Sequence, residues 1–117
     1  MSTFDLGTWH VFDPSHQKAD KWQALKVLEE AAEVVEAAKE YIEAAALQVD
    51  QVASTRLALT DEIADLLQTI TNMCDAYEIS TDMLKYAQTH CTKKNKLRGM
   101  FDEGPRTHMH REEDKND

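Results

Sequence analysis

Four carboxylates in two matched pairs are the residues best placed to do chemistry in this 117-residue chain. Glu30 and Glu33 stand three positions apart, and Glu62 and Asp65 repeat the spacing. On a helix, such residues lie about 60° apart around the axis and roughly one turn apart along it. Like charges at that spacing repel mildly, and two such pairs on neighbouring helices repel more unless a cation sits between them. On a helical wheel Glu62 falls beside Leu66 and Met73, and Glu30 beside Val34 and Tyr41, so each pair runs outward from the edge of an apolar stripe. Two antiparallel helices then point both pairs into one groove, and four converging carboxylates make a hard-cation site. Glu29, Glu36, Glu40 and Glu43 are read as the solvated face of the same amphipathic helix.

The donor chemistry narrows the cation. Ferritin-like di-iron bundles also use helix carboxylates, but they pair them in Glu-x-x-His motifs. Here no His follows a Glu by three, and His10, His16, His90, His108 and His110 all lie outside the acidic pairs. An all-oxygen set without imidazole or thiolate suits Mg²⁺ or Mn²⁺ over zinc or iron.

A second cluster supplies the opposite charge. Lys93, Lys94, Lys96 and Arg98 place four cations within six residues of an otherwise acidic chain. Cations near a helix C-terminus complement its dipole, which is the structural reading of that run. Lys94 and Arg98 share a helix face, and beside a carboxylate-held metal they suit phosphate oxygens. The combination suggests a nucleotide polyphosphate. Trp22, about two turns before Glu30, is a candidate to stack on a base, with packing as the alternative role.

These residues need rigid helices, and the punctuation of the chain supplies them. Gly occurs only at positions 7, 99 and 104 and Pro only at 14 and 105. A β-rich domain would need tight turns that recruit Gly, whereas the stretch from Ser15 to Arg98 is dense in strong helix formers. The expected fold is all-α, a bundle of three to four helices. The first helix opens at Asp13-Pro14-Ser15 and runs to about Leu47, with the stripe Leu28, Ala31, Ala32, Val35, Ala38, Ile42, Ala45 and Ala46. A break follows at residues 48–51. The second helix starts near Ser54-Thr55 or Thr60-Asp61 as N-caps and ends around Tyr77. The third begins at Ser80-Thr81-Asp82 and stops at Gly99. Phe4, Leu6, Trp9, Val11 and Phe12 are apolar enough to pack on the bundle. Residues 1–101 are expected to form one domain, and the polar stretch 102–117 a mobile tail.

Composition excludes several function classes. A formal net charge of −9 argues against sequence-independent nucleic-acid binding, which needs basic residues to displace counterions. Hydrophobic residues at 42% are too many for a disordered chain. No apolar run approaches the roughly 20 residues of a membrane span. The opening residues lack a secretory signal pattern. Cys74 and Cys91 give no disulfide framework and no metal-type spacing. A cytoplasmic protein is the expectation.

The residues also carry a resemblance. Leu28-Glu29-Glu30-Ala31-Ala32-Glu33 followed by Glu62-Ile63-Ala64-Asp65 resembles the EExxE…ExxD signature of the MazG-like all-α nucleoside triphosphate pyrophosphohydrolases. Lys94-Asn95-x-x-Arg98 looks like the basic helix end that follows the second acidic motif in that family, and the likeness spans roughly residues 20–100. It implies Mg²⁺-dependent hydrolysis between the α and β phosphates, giving a nucleoside monophosphate and pyrophosphate. It also implies a bundle completed as a homodimer or homotetramer. Carried over by position, Glu30, Glu33, Glu62 and Asp65 are the metal ligands, and Lys94, Asn95 and Arg98 contact phosphates or nucleotide. Glu29 carries no assigned role. Where family members carry a further Lys one turn before the Asn, this chain has Cys91. Two other readings compete: a non-enzymatic acidic helical interaction protein, and a base-specific dUTPase-like or dCTPase-like relative within the superfamily.

Overall fold

The computed structural model describes residues 2–48 and 50–102. Among these it contains three α-helices and no strand: α1 (Lys21–Leu47), α2 (Val52–Ala76) and α3 (Thr81–Leu97). Residues 6–80 form one compact unit, and α3 belongs to a second. The expected tail lies, from residue 103 onward, outside the described residues. No helix among the described residues is long and apolar enough to cross a membrane.

In the first unit α1 and α2 form an antiparallel hairpin. Arg56 near the start of α2 lies over the Tyr41 ring near the end of α1, 5.8 Å from its centroid. At the other end, the Tyr77 hydroxyl donates to the Asp20 carbonyl at 2.6 Å, tying the end of α2 to the N-cap of α1. Asp20 is that cap because its carboxylate accepts from the Gln23 amide at 3.0 Å, satisfying a helix-start N–H.

The helix starts differ from those expected. Asp13-Pro14-Ser15 nucleates a separate three-residue 3₁₀ turn, Pro14–His16, capped by the Asp13 side chain, and α1 begins at Lys21. On α2 the hydroxyls of Ser54 and Thr55 donate back to the Gln51 carbonyl, and Thr60 to that of Arg56. Hydroxyls used in this way do not cap, and α2 starts earlier, at Val52, without a side-chain cap. The helix ends agree with expectation. Gln48 takes the left-handed conformation after α1, with φ 53°. Glu78 does so after α2, where the Ile79 amide reaches back to the Cys74 carbonyl at 2.8 Å. Gly99, φ 75°, closes α3, with the Met100 amide on the Asn95 carbonyl.

The packing corrects the expected stripe. Ala31 and Ala38 are half-buried and Ala44 is buried, but Leu28, Val35 and Ile42 remain 67%, 58% and 63% exposed. The less exposed face of α1 also takes in Ala24, Val27, Val34 and Tyr41, and the seven-residue row Leu28–Val35–Ile42 is left as an exposed apolar seam, with Leu25 exposed beside it. Nor do the N-terminal apolar side chains bury themselves, since Phe4, Leu6, Val11 and Phe12 are exposed. Residues 10–17 are held on the hairpin by polar bonds instead. The Phe12 amide donates to Asn72 Oδ1 (2.9 Å), and Gln68 Nε2 donates to the His10 carbonyl (2.8 Å) and to Asn72 Oδ1 (3.0 Å). Asn72 is the buried polar residue of α2, only 5% exposed.

Candidate active site

The hairpin brings the acidic pairs of α1 and α2 together. Glu30 and Glu62 are half-buried and Asp65 is exposed, and their nearest carboxylate oxygens all lie within 4.8 Å of one another. Glu33 is exposed and stands outside this triad, though close enough to act on Glu62. Partial desolvation pushes the Glu62 carboxyl above its ordinary value, helped in turn by the negative charges of Glu33, Asp65, Glu30 and Asp61. Among the described residues no ion pair reaches these carboxylates, and the pair of Lys39 with Glu36 at 3.9 Å lies further along α1. Three oxygen donors crowded against their own repulsion, without nitrogen or sulfur among them, fit a hard divalent cation.

A polar cavity of about 240 Å³ adjoins the triad. Glu30, Asp65, Gln68, Thr69 and Asn72 form its acidic and amide side, while Phe12, His16, Gln17, Gln23 and Lys26 close it from the N-terminal segment and the start of α1. A second cavity of about 260 Å³ shares His16, Gln17, Gln23 and Lys26 with the first, and adds Trp22. Trp22 is 65% exposed, so it is free of the hairpin core, and the Lys21 ammonium sits 5.2 Å from its ring centroid. Gln17 Nε2 donates to the Phe12 carbonyl at 3.0 Å, while its Oε1 is shut off from solvent and has no partner among the described residues.

Lys94, Asn95 and Arg98 lie at the end of α3, in the other unit. There Arg98 Nη1 donates to Asn95 Oδ1 and Asn95 Nδ2 to Cys91 Sγ, each at 3.5 Å, so Cys91, Asn95 and Arg98 line one helix face. The cavity residues Lys26, Gln23, Gln68 and His16 lie outside the acidic and basic motifs of the sequence. Lys26 had a legible signal, four positions before Glu30 and therefore on the same helix face. Gln68 follows Asp65 by three. His16 and Gln17 carry no periodic signal, because a non-helical segment places them.

The class is that of the all-α nucleotide pyrophosphohydrolases. Within it, the chain belongs to the phosphoribosyl-ATP pyrophosphohydrolase family, whose model matches residues 9–87. That span contains both acidic pairs and every residue given above for the two cavities, and it ends before Lys94. The family is related to the MazG superfamily, but the match names it and not the MazG-like group that the motifs resemble. No curated protein and no solved structure matches the chain.

Proposed function

We propose that the protein hydrolyses nucleoside triphosphates, ribo- or deoxyribo-, to nucleoside monophosphate and pyrophosphate in a Mg²⁺-dependent reaction. The observation that carries this reading is the Glu30–Glu62–Asp65 triad at the edge of a polar cavity, in a chain of a pyrophosphohydrolase family. Glu30, Glu62 and Asp65 would hold the cation, with Glu33 beside them as a further carboxylate. Bound there, Mg²⁺ or Mn²⁺ would neutralise triphosphate charge and make a water more acidic.

Water is the nucleophile in this reading. The hydroxyl on the cavity wall, Thr69 Oγ1, donates to the Asp65 backbone carbonyl, and Ser15 Oγ donates at 2.6 Å to an Asp13 carboxylate held below the usual aspartate range, a base too weak to activate it for attack on phosphorus. Trp22 offers an exposed ring for a base, and Lys94, Asn95 and Arg98 are proposed phosphate contacts from α3. The exposed seam of Leu25, Leu28, Val35 and Ile42 supports assembly as a homodimer or homotetramer. A phosphoribosyl-ATP substrate, which the family's name gives, is also a triphosphate and belongs in the same assay.

The test is pyrophosphate release from a panel of canonical and modified NTPs and dNTPs, with Mg²⁺ and with EDTA, for wild type and Glu30→Gln/Glu62→Gln. Release that needs both metal and carboxylates supports the reading. A folded wild type with no turnover, and no rise in Tm with Mg²⁺, leaves the acidic faces as solvated surface of an interaction protein.

A further inference from the structure

The two cavities have a direction. The first touches the acidic triad through Glu30 and Asp65; the second touches Trp22; and His16, Gln17, Gln23 and Lys26 belong to both. Along α1, Trp22, Lys26 and Glu30 follow at four-residue steps, so each is about 6 Å of helix axis from the next. Lys26 is exposed, makes no ion pair among the described residues, and carries a positive charge between an aromatic ring and a carboxylate cluster. The shut-in Gln17 Oε1 on the shared wall needs a donor. Phosphate oxygens at neutral pH are acceptors, whereas sugar hydroxyls and base amines donate. The shared wall therefore suits the junction between nucleoside and phosphate.

We propose that Lys26 holds the α-phosphate, so that the nucleotide lies along α1 with its nucleoside toward Gln17 and Trp22 and its pyrophosphate half on the far side of the carboxylates. The inference rests on the nucleotide reading above and deepens it: Lys26 grips the monophosphate product and leaves the pyrophosphate product untouched. An ammonium–phosphate bond is charge-assisted, and its loss weakens binding about tenfold or more.

The experiment is calorimetric titration of AMP, GMP, CMP, UMP and, separately, inorganic pyrophosphate into wild type, Lys26→Met and Lys26→Arg, all with Mg²⁺. Lys26 is exposed, so both variants retain the fold. The expected result is that Lys26→Met weakens the tightest nucleoside monophosphate about tenfold and pyrophosphate less than about twofold, while Lys26→Arg stays near wild type. Unchanged monophosphate binding in Lys26→Met, an equal loss for pyrophosphate, or no monophosphate binding to wild type overturns the proposal. Wild-type turnover, followed in parallel, separates the two levels. Turnover with a silent Lys26→Met rejects only this orientation. Monophosphate binding that depends on Lys26, without turnover, rejects only the hydrolysis.

Discussion

Glu30 on α1 and Glu62 on α2 stand with carboxylate oxygens within 4.8 Å of each other and of Asp65, although nothing in their local sequence brings them together. The hairpin does so, and the arrangement opposes its own charge. For Glu62 the sign follows directly. A carboxyl held above its ordinary pKa binds protons more readily folded than unfolded, so its ionisation works against the fold as pH rises through that interval.

Replacing the charge should therefore help the metal-free protein and disable the metal-loaded one. Glu62→Gln is expected to raise the Tm in EDTA slightly, to abolish the further rise on adding Mg²⁺, and to lower kcat about 100-fold or more. Thermal melts with and without Mg²⁺, beside pyrophosphate release, check all three. A variant that keeps the wild-type Mg²⁺ response would remove Glu62 from the cation site.

The Asp13 turn gives a pH-dependent signal of opposite sign. Hydrogen bonds from the Ser15 hydroxyl and amide hold the Asp13 carboxyl below the usual aspartate range. A depressed carboxyl stabilises its turn above the unfolded pKa, and that contribution fades as pH falls through the folded value. NMR titration should show the Ser15 amide shift following a midpoint below that of a model aspartate, and Ser15→Ala should move the midpoint back up. A midpoint unaffected by Ser15→Ala would mean the hydroxyl bond does not form in solution.

Asn72 ties the N-terminal segment to α2, and with it the cavity wall. Asn72→Ala leaves the Phe12 amide and one Gln68 bond unpartnered, at a cost of about 1–3 kcal/mol. Urea unfolding measures the cost, and hydrogen exchange should speed up at Phe12 ahead of the helix centres. Exchange unchanged at Phe12 would show that the segment is held by something else.

Much of this was legible before any coordinates. Absence of Gly and Pro between Ser15 and Arg98, with helix formers throughout, suffices for an all-α chain, and the two i, i+3 acidic pairs contain the three carboxylates that α1 and α2 bring together, with Glu33 left outside. What periodicity could not give is which apolar face meets which partner. Leu28, Val35 and Ile42 have the spacing of a buried row, yet they stay exposed while Val27, Ala31, Val34, Ala38, Tyr41 and Ala44, on an adjoining strip of the same helix, are the less exposed side chains. The turns after α1 and α2 also escape a search for Gly, since Gln48 and Glu78 occupy their left-handed positions. His16 and Gln17 reach the cavity through side-chain bonds of a non-helical segment, which leave no pattern in the sequence.

The exposed seam on α1 makes a prediction about assembly. Val35→Glu with Ile42→Glu places two charges on the Leu28–Val35–Ile42 row, and analytical ultracentrifugation should show a wild-type oligomer reduced to a smaller species. A wild type that sediments as a monomer, or a variant with unchanged mass, would leave the seam without a partner of its own kind.

The most direct test of the central claim is hydrolysis of the best triphosphate in H₂¹⁸O with Mg²⁺, followed by ³¹P NMR and mass spectrometry of the products. Attack by water at the α-phosphorus yields nucleoside monophosphate carrying the label and unlabelled pyrophosphate, and requires Glu30, Glu62 and Asp65 intact. Label in pyrophosphate, or a nucleoside diphosphate with free phosphate as the products, would contradict it.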